Sequence, residues 1–337
     1  MRRLTRLLPL LALAAGVSSC ATIPPERREA EWLGILPAPS PRTVYASLEI
    51  TSSGGLLRSL AGIAGLEAIR FEKVLADTNR VYVRLEYEAP GRPRFSLIAL
   101  GDFKPAAVAL RLNLDNRWER VLLDPAAVSP SKCSCRSLRT YWRNPGAGLA
   151  VAAPLRGVVF VSTAGPGPYP GGVAEMLERR QAPGPSPIPP AAVHGMQAAE
   201  LFLFLPDPMG LAAAASPGSG VSGREAPPVP ILGMQALPIE QAWLRAEAEA
   251  GGYRLEVALR LAEAGNPAAV EKLLRLALIL WMRRTGIEDP AERLRALRIT
   301  VDQGLARIES LRLSEEQLLA LLASFLPASL PSGEEEI

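Results

Sequence analysis

A charge-alternating strand, a turn, a second strand and a proline-started helix occur twice in this 337-residue chain, and the recurrence restricts the folds open to it. In the first copy Val81, Val83, Leu85 and Tyr87 alternate with Arg80, Tyr82, Arg84, Glu86 and Glu88. Successive side chains of a strand point to opposite faces, so this alternation marks a strand with one apolar face. Pro90-Gly91 turns the chain into a strand over Phe95 to Leu100, and Pro105 opens a helix. In the second copy, Ala242 to Ala250 and Tyr253 to Ala262 flank Gly251-Gly252, and Pro267 opens the helix after a cap at Asn266. Arg84-Leu85-Glu86-Tyr87-Glu88-Ala89 aligns with Arg245-Ala246-Glu247-Ala248-Glu249-Ala250 at an offset of 161, and Pro105 aligns with Pro267 at 162. Strands joined by hairpins rather than by helical crossovers form antiparallel sheets. The expected class is α+β, with two tandem pseudo-repeats of antiparallel sheet with covering helices.

The expected boundaries are a first repeat over 43–182, a proline-rich linker over 183–198 and a second repeat over 199–328, followed by an acidic tail over 329–337. Further strands are expected over 44–50, 118–123, 149–153, 158–162, 200–205, 297–301 and 305–311. Helices are expected over 56–66, 172–180 and from Pro208 to about Ala215. Inside the second repeat, 216–238 is rich in proline and glycine and reads as a mobile stretch. Ser314 and Gln317 stand three apart at the start of the last helix, the spacing of a capping box. With 48% hydrophobic residues the chain has ample material for sizeable cores.

The first nineteen residues have a different character. Arg2, Arg3 and Arg6 precede an apolar run from Leu7 to Val17. That order is the pattern of an export signal, and the run is shorter than the roughly 20 residues a spanning helix requires. The run ends in Val17-Ser18-Ser19-Cys20, which resembles the lipobox of bacterial lipoproteins. The resemblance implies that 1–19 is removed and that Cys20 is lipidated as the mature N-terminus. A proline-rich tether over 20–42 then follows, from which Trp32 and Leu33 could reach the body or the membrane surface. Ala21 replaces the aspartate that retains many such proteins at the inner membrane, so the expected place is the outer membrane, facing the periplasm. The expected partners are the membrane, through the lipid, and an envelope protein or lipid. The body is similar to those of duplicated α+β envelope lipoproteins. Without the three signal arginines, 34 basic residues balance 34 acidic ones, a charge that offers nothing to nucleic acid.

Few residues suggest chemistry. Cys133 and Cys135, in Lys132-Cys133-Ser134-Cys135-Arg136, are weak metal candidates. Zinc takes four ligands, and the one histidine, His194, lies some sixty residues away. A structural disulfide or a thiol pair in a surface loop is the plainer expectation. His194 is expected in an exposed loop. Asp102, before the Pro105 helix, is expected to cap that helix or shape its turn. The run from Gly165 to Gly172 has the composition of a phosphate loop but lacks its Gly-Lys-Ser/Thr ending. The stretch from Ala269 to Met282 is the most apolar of the body and reads as a buried core helix. No cofactor is expected. The reading is a non-catalytic binding or scaffolding lipoprotein. Its alternatives are a carboxylate-dependent hydrolase of envelope glycans or lipids, and a lipid-binding or carrier protein using the helix that starts at Pro267.

Overall fold

The computed structural model describes residues 31–50, 56, 77–87, 94–123, 140–163, 172–181, 183–196, 199–215, 237–263, 265–284, 286–287 and 289–325. Cys20, Cys133 and Cys135 lie outside them, as do the signal segment, the stretch 216–236 and the acidic tail.

The first half contributes strands β1 (Thr43–Glu49), β2 (Thr78–Glu86) and β3 (Arg94–Gly101), then helix α1 (Pro105–Leu114). It continues with β4 (Glu119–Leu122), β5 (Thr140–Asn144), β6 (Leu149–Leu155), β7 (Val158–Thr163) and α2 (Val173–Gln181). A short helix, α3 (Pro190–Met196), leads to the second half. That half holds β8 (Leu201–Leu205), α4 (Pro208–Ala215), β9 (Ile239–Glu249), β10 (Gly252–Leu261) and α5 (Pro267–Arg284). It closes with α6 (Pro290–Ala296), β11 (Arg298–Asp302), β12 (Leu305–Leu313) and α7 (Glu315–Phe325). The fold is α+β.

All twelve strands join one antiparallel sheet, ordered β11-β12-β10-β9-β8-β1-β2-β3-β7-β6-β5-β4. The halves meet at β1 and β8, where Tyr45 faces Phe204, Ala46 faces Leu203 and Leu48 faces Leu201. From that seam the order runs outward alike in both directions, with β2 and β3 answering β9 and β10, and β7 and β6 answering β12 and β11. Hydrogen bonds outside the ladders agree. Gly101 N–H donates to the Gly157 carbonyl at 3.0 Å, and Leu261 N–H donates to the Gly304 carbonyl at 2.8 Å. Asp102 N–H donates to Asp77, and Ala262 N–H to Pro238, both at 2.8 Å. Gly157 and Gly304 take φ of +82° and +76° in their hairpin turns, a region in which a Cβ is strained. β4 and β5 extend the first half by two strands that have no counterpart in the second.

Alternation along the strands divides the core in two. Val44, Leu48, Val81, Leu85, Leu97, Leu203, Leu244 and Leu255 point to one side, against α4, α5, α6 and α7. Tyr45, Tyr82, Ile98, Phe160, Phe202 and Phe204 point to the other, against α2, α3 and the turn at 31–36. Such opposed apolar faces on one sheet require a cover on each side. The capping box at Ser314 forms as expected: Gln317 N–H donates to Ser314 Oγ at 3.2 Å, and Ser314 N–H donates to Gln317 Oε1 at 3.0 Å.

Two segments read from sequence as extended and exposed are packed. Residues 31–42, the distal part of the expected tether, bury Leu33, Ile35 and Leu36 beneath the sheet. Tyr45 donates its hydroxyl to the Pro37 carbonyl at 2.6 Å, and Gly184 N–H donates to the Gly34 carbonyl at 3.2 Å. A Cβ on Gly34 would lie 2.4 Å from the Gly184 carbonyl oxygen, so the crossing needs glycine. The expected linker 183–198 contains α3 and buries Ile188, Ala192, Val193 and Met196. Those four recur at helical spacing, while the prolines before them suit a first helical turn. The prolines set where each segment bends, and the apolar residues between them set where it packs. Strand β5 also went unread, although its burial alternates as a strand's does.

If 31–42 belongs to the core, Leu33→Ala should cost about 2–5 kcal/mol. Urea denaturation measures this, and a free tether would show no change.

Candidate binding surfaces

Helix α5 differs from the expected core helix. Val270, Leu274, Ala277, Leu278, Trp281 and Met282 are buried against the sheet, α6 and β11. On its outer face Leu273, Leu276 and Leu280 are 40%, 53% and 48% exposed. Helix α1, its counterpart after β3, has no buried residue, and Leu110 and Leu114 stand in water. Both helices lie on the same side of the sheet, since Val108 of α1 packs against the cluster that α5 enters. Burying a leucine is worth about 1.5–3 kcal/mol, so these stripes are poised to be covered.

The opposite side of the sheet carries a polar feature in each half. In the first, Arg84 pairs with Glu86 at 3.0 Å, and Glu86 faces Arg94 across the β2–β3 pair. The chain at 37–40 lies over them. Arg84 donates to the Ala38 carbonyl at 3.4 Å, and Ser40 donates its hydroxyl to Glu86 at 2.9 Å. Arg179 of α2 donates to the Leu36 carbonyl at 3.4 Å and pairs with Glu175 at 2.7 Å. Burial pushes the Tyr45 phenol up to about 12, against the pull of the Arg84 charge, and keeps it a hydroxyl donor to Pro37. On the other side, with Val81 and Leu85, the Tyr87 phenol is also pushed up by burial, and among the described residues its oxygen has no hydrogen-bond partner.

In the second half the same residues recur at the same register. Arg245 pairs with Glu247, and Glu247 faces and pairs with Arg254 across β9–β10. The array continues through Arg245–Glu256 at 3.7 Å, Arg254–Glu249 at 3.3 Å and Arg312–Glu249 at 3.1 Å. The hydrogen bond from Arg254 holds the Glu247 carboxyl below its usual value, aided by the charges of Arg245 and Arg254 and opposed by desolvation.

Of the residues singled out in the sequence, Asp102, Asn266 and His194 fall among the described residues, at separate elements. Asp102 does not cap α1. The cap position is Lys104, which makes no side-chain cap bond, while exposed Asp102 lies 4.0 Å from exposed Arg156. Asn266 does cap α5, accepting from Ala268 N–H at 3.0 Å. His194 lies within α3 rather than in a loop, because the apolar residues around it fold that segment against the sheet. Cys20 and the weak metal candidates Cys133 and Cys135 lie outside the described residues. Among the described residues no group of three or more His, Cys, Asp or Glu could hold a metal, and no helix is long and apolar enough to cross a membrane. The exposed leucines were missed because their residue types fit a core as well as a surface. The paired triads were visible as the repeated Arg-x-Glu, but nothing in that pattern shows which copy is covered.

A carboxylate held low in the folded state contributes stability that is present above its unfolded value, near 4.5 for Glu247, and lost as pH falls through its folded value. Glu247→Gln should therefore lower the urea midpoint at neutral pH. The gap to the unaltered chain should close as pH drops below 4.5. An unchanged gap at acid pH would exclude this pairing as a source of stability.

No protein-family model and no curated protein matches the sequence. Among solved structures, crystal form I of TP0453 matches with a TM-score of 0.54 at 15% identity, covering 87% of this chain and 96% of that one. Form III gives 0.55 at 16% identity, with 87% and 97% covered, and form IV gives 0.54 at 15%, with 89% and 99% covered. Nearly the whole of both chains is included, and what this likeness establishes is that the chain shares the fold of TP0453.

Proposed function

We propose that this protein is a lipid-anchored component of the bacterial envelope that binds an apolar partner rather than catalysing a reaction. The anchor is Cys20, at the end of the Val17-Ser18-Ser19-Cys20 motif. The proposed location is the outer membrane, with the body in the periplasm.

One observation carries the binding role, the outer stripe of α5. Leu273, Leu276 and Leu280 recur at spacings of three and four and remain exposed, although buried leucines line the inner face of the same helix. A helix needing only to close the core would place polar residues at those positions. The stripe suits acyl chains, and the proposal is that it takes lipid.

Cys20→Ser should remove incorporation of labelled fatty acid and move the protein from the membrane to the soluble fraction. Persistent labelling or membrane retention would overturn the anchor. The soluble Cys20→Ser protein should then carry lipid extractable with organic solvent, and adding Leu276→Ser with Leu280→Ser should reduce that lipid several-fold. Equal lipid in both proteins would overturn the role of α5.

A further inference from the structure

The two Arg-Glu-Arg triads differ in one respect. The first lies under the chain's own segment 37–40, and among the described residues no segment crosses the second. Arg84 is 5% exposed and Arg245 is 27% exposed. Among the described residues Arg245, Glu247, Glu249 and Arg254 pair with one another, with Glu256 and with Arg312, all on the same three strands. Among the described residues no backbone carbonyl or hydroxyl from a crossing segment reaches them.

We infer that the triad of Arg245, Glu247 and Arg254 is a docking site for an extended, proline-rich peptide that carries a hydroxyl residue. The first half supplies the worked geometry. There Pro37-Ala38-Pro39-Ser40 crosses β2, a guanidinium donates to a peptide carbonyl, and a carboxylate accepts from a serine hydroxyl. The polar complementarity is specific to that class of ligand. Proline-rich chains are extended, and their prolines have no N–H, so they offer carbonyl acceptors to an arginine. The hydroxyl is a donor that the carboxylate can accept on a remaining lone pair beside its two arginines. The second half repeats all three charged side chains with the same cross-strand pairing, since Glu86 faces Arg94 and Glu247 faces Arg254. One difference enlarges the second site. Arg84 faces Ser96 on the neighbouring strand, whereas Arg245 faces Glu256, which adds a second carboxylate for a donor on the ligand. The site lies on the opposite side of the sheet from the leucine stripes and does not depend on them.

The test uses the full chain and a synthetic peptide with the sequence Leu36 to Arg42, with blocked ends. Saturable binding is expected, with slowed amide hydrogen exchange at the exposed side of β9 and β10. Arg245→Ala and Glu247→Ala should each weaken binding at least tenfold. A peptide with Ser40→Ala should bind the unaltered chain correspondingly more weakly, yet bind the Glu247→Ala chain no worse than the parent peptide does. That second arm removes the same contact without touching the protein, so a folding defect cannot produce it. No saturable binding, binding indifferent to both protein substitutions, or equal loss from Ser40→Ala in both chains would each overturn the proposal.

Discussion

The antiparallel pair between β1 and β8 carries the rest of the molecule. Each half alone would leave one long edge of unpaired backbone groups, an edge that proteins must cover or pair. Here each half satisfies the other, through Tyr45 to Leu48 against Leu201 to Phe204. The seam also fixes the faces. Since strand side chains alternate, a one-residue slip would turn Val44, Leu48, Leu201 and Leu203 away from the helices they pack against. The four pairings at the seam thus hold both cores in register.

The like order of strands on either side of that seam makes the asymmetries informative. The helix after β7 packs on one side of the sheet and the helix after β12 on the other, as Val173 and Leu318 belong to different clusters. The segment 31–42 covers the first half only. Among the described residues these departures cover one charged sheet surface and not its counterpart, although the triad side chains and their register are the same. Among the described residues, the distinction between the two copies lies in what covers the sheet rather than in the sheet itself.

Much of this was legible in the sequence for a plain reason. Alternation such as Val81-Tyr82-Val83-Arg84-Leu85 determines strand, face and approximate ends together, and Pro105, Pro208 and Pro267 mark helix starts that the fold keeps. Capping at Ser314 and Asn266 was readable because those bonds are local. What escaped was long-range. Whether Leu33 lies in a tether or in a core depends on α2 and the far side of the sheet, and no local pattern encodes that. The outer leucines of α5 raise the same difficulty in reverse, because an apolar residue type states a preference for burial without naming the partner. Strand β5 fell between the two cases, with a real but short alternation over Thr140 to Asn144.

The seam also has a consequence in time. β1 pairs locally with β2, but its other edge waits for β8, which the chain supplies only after the whole first half has been made. Contacts so distant in sequence form late, because closing the loop between them has an entropic cost that earlier contacts must first offset. During that interval an apolar strand with an open edge is presented to its surroundings, the condition under which chains pair with the wrong neighbour. A protein built on this plan therefore depends on protection between the emergence of Thr43 and the arrival of Leu205. Its most vulnerable species is a half-finished sheet.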